Sequence, residues 1–169
     1  MRCTLSVEII EVVGAPTEVR DLLYEVLYQN FGVDELFDNG FHQERGGEFL
    51  LKRDDQQRLL GVVRLMPVAD NDASRRQVRQ VAVSPEARGL GIGSELMRYI
   101  EELALDQGAE ELWLESRGVA YDFYRKMGFE IAGEEFISKL TCLPHCVMTK
   151  QIGASIQSVA PAQVSTEVA

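Results

Sequence analysis

Hydrophobic residues change their spacing along the chain, and each change marks a new predicted element. Apolar positions dominate the run Leu5–Val13 and predict an opening strand, which Gly14 and Pro16 interrupt. From Val19 to Leu27 the apolar residues recur at helical spacing, so an amphipathic helix is predicted that ends by Gly32.

A polar turn between two apolar runs predicts a β-hairpin in the next part of the chain. Residues 31–47 are rich in turn formers and predict an irregular segment. The runs Glu48–Lys52 and Arg58–Val68 then have strand character, and the polar stretch Arg53–Gln57 separates them. These two strands are expected to pair through that turn.

The second half of the chain alternates strand and helix patterns, as is typical of a mixed α/β domain. A strand over Arg76–Val83 leads into a glycine-rich loop, and Gly108 is well placed to end the helix that follows. The expected core stripe of this helix is Ile92, Leu96, Tyr99, Ile100, Leu103 and Gln107. The later elements are a strand over Glu111–Ser116, a short helix over Val119–Met127 ended by Gly128, and strands over Phe129–Gly133 and Leu143–Lys150.

Length and composition suit one domain with a substantial core, because the chain has 169 residues and is 46% hydrophobic. We place this domain over residues 1–150. Residues 151–169 carry a single charge, Glu167, and no helical stripe, which predicts a weakly ordered tail. The alternative is an arm that packs on a second subunit.

The loop Arg88–Gly93 reads RGLGIG and lies between a predicted strand and a predicted helix. Glycines let successive backbone N–H groups converge on an anion, and the helix start adds the positive end of its dipole. A bound pyrophosphate would fit there, although a plain strand-to-helix turn is the alternative. The loop is not a P-loop, since no Gly-Lys-Ser/Thr follows, and its spacing is not that of a dinucleotide fingerprint.

Three segments in order resemble motifs of the GNAT superfamily of N-acetyltransferases. Arg88, Gly91 and Gly93 match the R-x-x-G-x-G signature, and Ala120–Phe129 matches A-x-x-F-Y-x-K-x-G-F. Leu143–Lys150 resembles the final strand that many members write as I-P-H-x-x-M-x-K. We therefore identify the chain by resemblance as an α/β (α+β) protein of GNAT type, with a mixed, mostly antiparallel sheet flanked by helices and two parallel strands splayed at the cofactor site.

The resemblance implies acetyl-CoA as the acyl donor. The strand residues Val81, Ala82 and Val83 are expected to contact it, with the backbone of Val81 and Val83 binding the pantetheine amides like an added strand. The expected pyrophosphate donors are the backbone N–H groups of Gly89, Gly91, Ile92, Gly93 and Ser94. The Arg88 side chain would add a positive charge nearby.

Tyr124 is the predicted general acid, in the place where the family has a tyrosine for that role. A phenol with a pKa of about 10 is protonated at neutral pH and can give a proton to the departing thiolate. The alternative is a core aromatic residue, as we expect for Phe123 and Phe129.

The general base and the acceptor pocket are less well defined by the resemblance. Arg117 replaces an asparagine with which many members contact pantetheine, and the strand before the glycine loop has no carboxylate. Glu115, at the end of its strand, is a possible base, and His145 and Glu44 are candidate substrate residues. Cys142, His145 and Cys146 are too few for a tetrahedral metal site, so no metal is expected.

The net charge and its distribution along the chain limit the kinds of molecule that the protein can bind. The net charge is -10 and the pI about 4.7, which argues against a nucleic-acid partner. Between Glu8 and Glu48 there are ten acidic residues and two arginines, so a cationic amine acceptor is one expectation, although acidic surface also serves solubility.

Location, assembly and activity each leave alternatives. No apolar run is long enough to span a bilayer, residues 1–5 lack a leader pattern, and the three cysteines cannot all pair, so a cytoplasmic protein is expected. A homodimer is possible, since dimers are common in the family. Two alternatives to acetyl transfer are an acyl-CoA donor longer than acetyl-CoA and a CoA-binding module without turnover.

Overall fold

The computed structural model describes residues 7–11, 16–31, 46–68 and 72–153, and they form one mixed eight-stranded sheet with helices on both faces. Its strands are β1 (Val7–Glu11), β2 (Glu48–Arg53), β3 (Leu59–Leu65), β4 (Arg75–Val83), β5 (Glu111–Arg117), β6 (Glu130–Ile131), β7 (Phe136–Ile137) and β8 (Pro144–Gln151). Its α-helices are α1 (Thr17–Leu23), α2 (Ile92–Asp106) and α3 (Tyr121–Lys126).

The strand order is β1-β2-β3-β4-β5-β8-β6, and β7 pairs with β8 beside β6. Strands β4 and β5 pair in parallel, and the other described neighbours pair antiparallel. The predicted mixed, mostly antiparallel sheet is therefore confirmed. The hairpin is confirmed as well, because Asp54 Oδ1 accepts the Gln56 and Arg58 N–H groups within its turn, each at 2.9 Å.

The two parallel strands separate after a short contact. They pair from Arg75 opposite Glu111 to Gln77 opposite Trp113. Beyond Gln77, β4 pairs with β3 on one side, and the rest of β5 pairs with β8. A wedge-shaped gap therefore opens in the middle of the sheet, as the resemblance implied.

A β-bulge accompanies this gap. Arg64 is opposite Arg79, whereas Val62 is opposite Ala82, so β4 carries an extra residue between these pairs. Gln80 sits in the bulge with φ of 56°, a left-handed conformation that is uncommon outside glycine. The bulge bends the strand where it leaves β5.

Two hydrophobic clusters cover the two faces of the sheet. On one face α2 packs on Val63, Val78, Leu114 and Met148, and Tyr124 and Phe129 complete this cluster. On the other face α1 packs on a second set of side chains, Phe49, Leu51, Val62 and Ala82. We call these the α2 face and the α1 face.

The helices follow the predicted order but differ in detail. The first continues past α1 as a π-helical turn over Tyr24–Tyr28 and a 3-10 turn over Gln29–Phe31. The buried face of α2 is centred on Leu96, Ile100 and Ala104 and includes Met97, which leaves the predicted core residue Tyr99 42% exposed at its margin. Gln107, also predicted in the stripe, lies beyond the last helical residue and is exposed.

Glycines end the two later helices as predicted. Gly108 follows α2 with φ of 86°, and Gly128 follows α3 with φ of 92°. Both angles are left-handed, which glycine adopts without the clash of a Cβ atom.

The C-terminal strands differ most from their predicted extents. Strand β6 has two residues where five were expected, and β7 had no sequence signal. Strand β8 runs to Gln151, and the N–H groups of Ile152 and Gly153 donate to the Glu110 carbonyl at 2.8 and 3.0 Å. The described chain therefore continues to Gly153, and residues 154–169, which include most of the predicted tail, lie outside the described part.

Candidate active site

The gap between β4 and β5 holds a cleft of about 380 Å³. Strand β4 contributes five consecutive residues to its wall, Gln77 to Val81, and β5 contributes Leu114 to Arg117. The rest of the described lining is Leu27, Tyr28, Ala120, Tyr124, Ser138, Lys139, Leu140, Thr141 and His145. The cleft is thus enclosed by α3, by the turn after α1 and by the loop between β7 and β8.

The backbone of β4 past the bulge presents hydrogen-bonding groups to this gap. The Ser84 N–H donates to the Leu60 carbonyl at 2.8 Å, which identifies the residues of β4 whose backbone groups face β3. Because hydrogen-bonding pairs alternate along an antiparallel ladder, Ala82 also bonds to β3, while the N–H and C=O groups of Val81 and Val83 point away from β3. Of the three predicted strand residues, these two have the backbone orientation that an added strand needs.

The glycine loop forms an open backbone cradle at the start of α2. Gly89 and Gly91 have φ of 79° and 77°, and a Cβ atom at either would meet no heavy atom of the described residues within 4 Å. Gly91, the N-cap residue of α2, offers no side chain to the N–H groups of Ile92, Gly93 and Ser94. The Arg88 side chain is exposed beside this cradle. The backbone N–H donors and the positive end of the α2 dipole make this loop suitable for binding an anion.

Close packing joins the start of α2 to α3. A Cβ atom on Gly93 would lie 3.3 Å from the Phe123 ring and 3.5 Å from Val83 Cγ2. Phe123 in turn packs edge-on against Tyr124, with ring centroids 5.0 Å apart. The tyrosine is therefore held at a fixed position relative to the cradle.

Tyr124 is 9% exposed and lines the cleft. Burial raises the pKa of its phenol to about 12, and the nearby Arg117 guanidinium opposes that rise. Phe129 packs on the other side of the ring at 5.9 Å. The hydroxyl is accordingly protonated at neutral pH and able to donate.

Charged groups from β5 and β8 line the α1 side of the cleft. Leu112 and Leu114 belong to the α2 face, so by alternation Glu115 and Arg117 project to the α1 face. His145 is the register partner of Arg117 and therefore lies on the same face. Its Nδ1 atom is 2.9 Å from the Leu143 carbonyl, and its ring packs against Phe136 at 5.9 Å.

Four of the predicted site residues come together on this cleft: Val81, Glu115, Tyr124 and His145. The cradle from Arg88 to Ser94 is outside the lining of the cleft, at the start of α2. The predicted substrate residue Glu44 lies outside the described residues.

Sequence reasoning missed several lining residues. Gln80 forms the bulge without being a glycine, and Lys139 and Thr141 belong to a loop without any motif. Arg79 could have been placed from strand alternation, since Val78 faces the opposite side.

Within the described part of the chain, no group of three or more His, Cys, Asp or Glu side chains could hold a metal ion. Among the same residues, no helix is long and apolar enough to cross a membrane.

Similar proteins share this architecture. The chain resembles N-acetyltransferase 8 of Rattus norvegicus, with 33% identity over 105 residues, or 59% of this chain and 47% of the rat protein. An acyl-CoA N-acyltransferase structure from Pseudomonas aeruginosa aligns with TM-score 0.68 and 21% identity, covering 86% of this chain and 99% of that one. A GNAT family acetyltransferase from Elizabethkingia anophelis with acetyl-CoA bound aligns with TM-score 0.63 and 20% identity, covering 86% and 97%.

The splayed sheet and its glycine cradle define an acetyltransferase-type α/β domain. The model of the acetyltransferase (GNAT) family matches residues 16–129, and the chain belongs to that family. The alignment with N-acetyltransferase 8 covers about half of the length of that rat protein.

Proposed function

We propose that this protein transfers an acetyl group from acetyl-CoA to a primary amine by direct attack of the amine. The observation that carries the proposal is the cleft between β4 and β5, because it brings free backbone groups of β4 beside a buried, protonated tyrosine. A relative of this fold has acetyl-CoA bound, which supports the choice of donor.

The cradle at the start of α2 binds the pyrophosphate of the donor through backbone N–H groups. Val81 and Val83 then orient the pantetheine arm, since their N–H and C=O groups are directed away from β3. The thioester is placed near Tyr124, whose hydroxyl donates a proton to the departing thiolate. Catalysis therefore depends on positioning and on one proton donor.

The acceptor amine must arrive uncharged or lose a proton in the cleft. Glu115 is the carboxylate among the described lining residues and is our candidate base. His145 lies on the same face and helps shape the pocket, with its ring held by Phe136 and the Leu143 carbonyl.

Thiol release from acetyl-CoA, followed with a panel of amines, tests the proposal. We expect release that requires both donor and acceptor, with single-displacement kinetics and no acetylated enzyme detected by mass spectrometry. Calorimetry with acetyl-CoA is run in parallel. Binding without thiol release from any amine would favour a CoA-binding module, and absence of binding would remove the proposal altogether.

A further inference from the structure

The charges on the cleft wall point to the chemistry of the acceptor. Among the described lining residues, three carry a positive side chain, Arg79, Arg117 and Lys139, and one carries a carboxylate, Glu115. The protein as a whole has a net charge of -10, so the described lining residues carry the opposite sign to the whole chain, and two of them, Arg79 and Arg117, also have a partner within it. A locally positive wall favours a ligand with a negative group.

The charged side chains of β4 and β5 lie on the opposite face of the sheet from the pyrophosphate cradle. Val78 and Leu114 pack on the α2 face, so the adjacent Arg79 and the neighbouring Glu115 project to the α1 face. The cradle is built at the start of α2, which covers the other face. The positive wall is therefore not needed for the phosphates of the donor.

The loop between β7 and β8 adds an unused polar group. The Ser138 hydroxyl oxygen accepts hydrogen bonds from the N–H groups of Leu140 and Thr141 at 3.3 and 3.4 Å, and these bonds hold the loop in a tight turn. The Thr141 Oγ1 atom is buried and has no hydrogen-bond partner within the described ranges. Thr141 lines the cleft beside Lys139, so a bound molecule can supply the missing partner.

Three described acidic residues of the N-terminal half are engaged elsewhere. Glu8 and Glu18 pair with Arg53, and Glu48 lies beside Arg76 and Gln107. None of these three glutamates lines the cleft. These three therefore give no support to a polycationic acceptor.

We propose that the acceptor is an amine that carries a carboxylate close to its nucleophilic nitrogen, as an amino acid does. Glu115 faces the ammonium group and takes a proton from it, so that the nitrogen can attack. Lys139 and Arg79 face the carboxylate, and the Thr141 hydroxyl donates a hydrogen bond to it. This inference deepens the proposed function and rests on it.

Matched acceptors test the charge directly. Thiol release from acetyl-CoA is measured with L-phenylalanine, L-phenylalaninamide and 2-phenylethylamine, then with L-lysine, cadaverine and spermidine, each corrected to the concentration of free amine. We expect kcat/KM to be about 10- to 100-fold higher for the acceptors with a carboxylate, the effect of one charge-assisted hydrogen bond.

Two variants locate the group that reads the carboxylate. Arg79 already has a partner within the chain, so Lys139→Gln, at an exposed position, is the cleaner change, and Arg79→Gln follows it. We expect each variant to lose activity about 10-fold with the amino acids and to keep it with the matching decarboxylated amines. Arg58→Gln is the control, because Arg58 is exposed in the β2–β3 turn and pairs with Asp54.

The outcomes separate the two levels of the proposal. Turnover that favours spermidine or cadaverine over the amino acids overturns the carboxylate inference and leaves the acetyltransferase proposal standing. Equal losses with both acceptor classes in Lys139→Gln and Arg79→Gln also overturn it, because a merely structural role would give that pattern. Absence of thiol release with every acceptor overturns the proposed function, and the inference falls with it.

Discussion

Removing the Tyr124 hydroxyl tests the catalytic step with the smallest change of structure. In Tyr124→Phe the ring contacts to Phe123 and Phe129, at 5.0 and 5.9 Å, stay in place. The free energy of unfolding should therefore change by about 1 kcal/mol or less. The proton donor is lost, and general acid catalysis is typically worth about 10²- to 10⁴-fold in rate, or about 2.7–5.5 kcal/mol of barrier.

Steady-state thiol release and acetyl-CoA calorimetry separate the two effects. We expect kcat to fall by at least about 100-fold, while the dissociation constant for acetyl-CoA changes by less than about 3-fold, since the hydroxyl acts in the transition state. Tyr121→Phe is the matched control, because Tyr121 lies on the same helix α3 and is not among the cleft-lining residues. A Tyr124→Phe enzyme with unchanged kcat would refute the proton-donor role.

The pH profile adds an independent check. A tyrosine with an ordinary pKa of 10 would lose its proton, and its activity as an acid, as the pH rises past 9 to 10. Burial raises the pKa of Tyr124 to about 12, so the hydroxyl stays protonated well above that range. We expect wild-type kcat to show no alkaline decline up to about pH 10. A decline centred near pH 9 would contradict a buried phenol as the donor.

Three further predictions concern the cradle and the stability of the fold. Gly91→Ala forces a Cβ atom into φ of 77°, which should cost about 1–2 kcal/mol of stability and weaken acetyl-CoA binding in calorimetry; unchanged stability and affinity would contradict the cradle geometry. Leu96→Ala empties a fully buried site between α2 and the sheet and should lower the free energy of unfolding in urea by about 2–5 kcal/mol, whereas a loss below 1 kcal/mol would not fit that burial. Hydrogen bonding to Arg53 lowers the pKa of Glu18, so this pair stabilises the fold above pH 4.5 and loses its effect as the pH falls through the lowered value. Glu18 is 46% exposed and Arg53 19%, so solvent screens the pair, and Arg53→Gln should cost about 0.2–1 kcal/mol at pH 7 and less at pH 3; an equal cost at both pH values would contradict the linkage.

The glycine conformations on the proposed donor side could be predicted because their sequence signals are local. Gly91 needs a left-handed φ to begin α2, and Gly108 and Gly128 need one to end helices, so each glycine marks its own position. Tyr124 lies within a matched ten-residue segment. Short-range backbone requirements of this kind can be read from neighbouring residues alone.

The rest of the cleft lining could not be predicted in the same way, because its residues meet only after the sheet is assembled. Arg79 comes from β4, and Lys139 and Thr141 come from the loop after β7, a strand that the sequence did not predict. The bulge at Gln80 gave no signal either, since a glutamine rarely adopts φ of 56°. The register of β4 against β3 imposes that conformation on the residue.

In our proposals, the donor and the acceptor contact different parts of the same two strands. In the proposed function the donor is bound mainly through backbone groups of Val81, Val83 and the cradle, so most of the surrounding side chains would be free to vary. In the same proposal, acceptor choice depends on side chains that project from the opposite face of the same splayed strands. A substitution such as Lys139→Gln can therefore alter which amine reacts without disturbing how the thioester is held. Acceptor specificity in this chain should be separable from donor affinity, one side chain at a time.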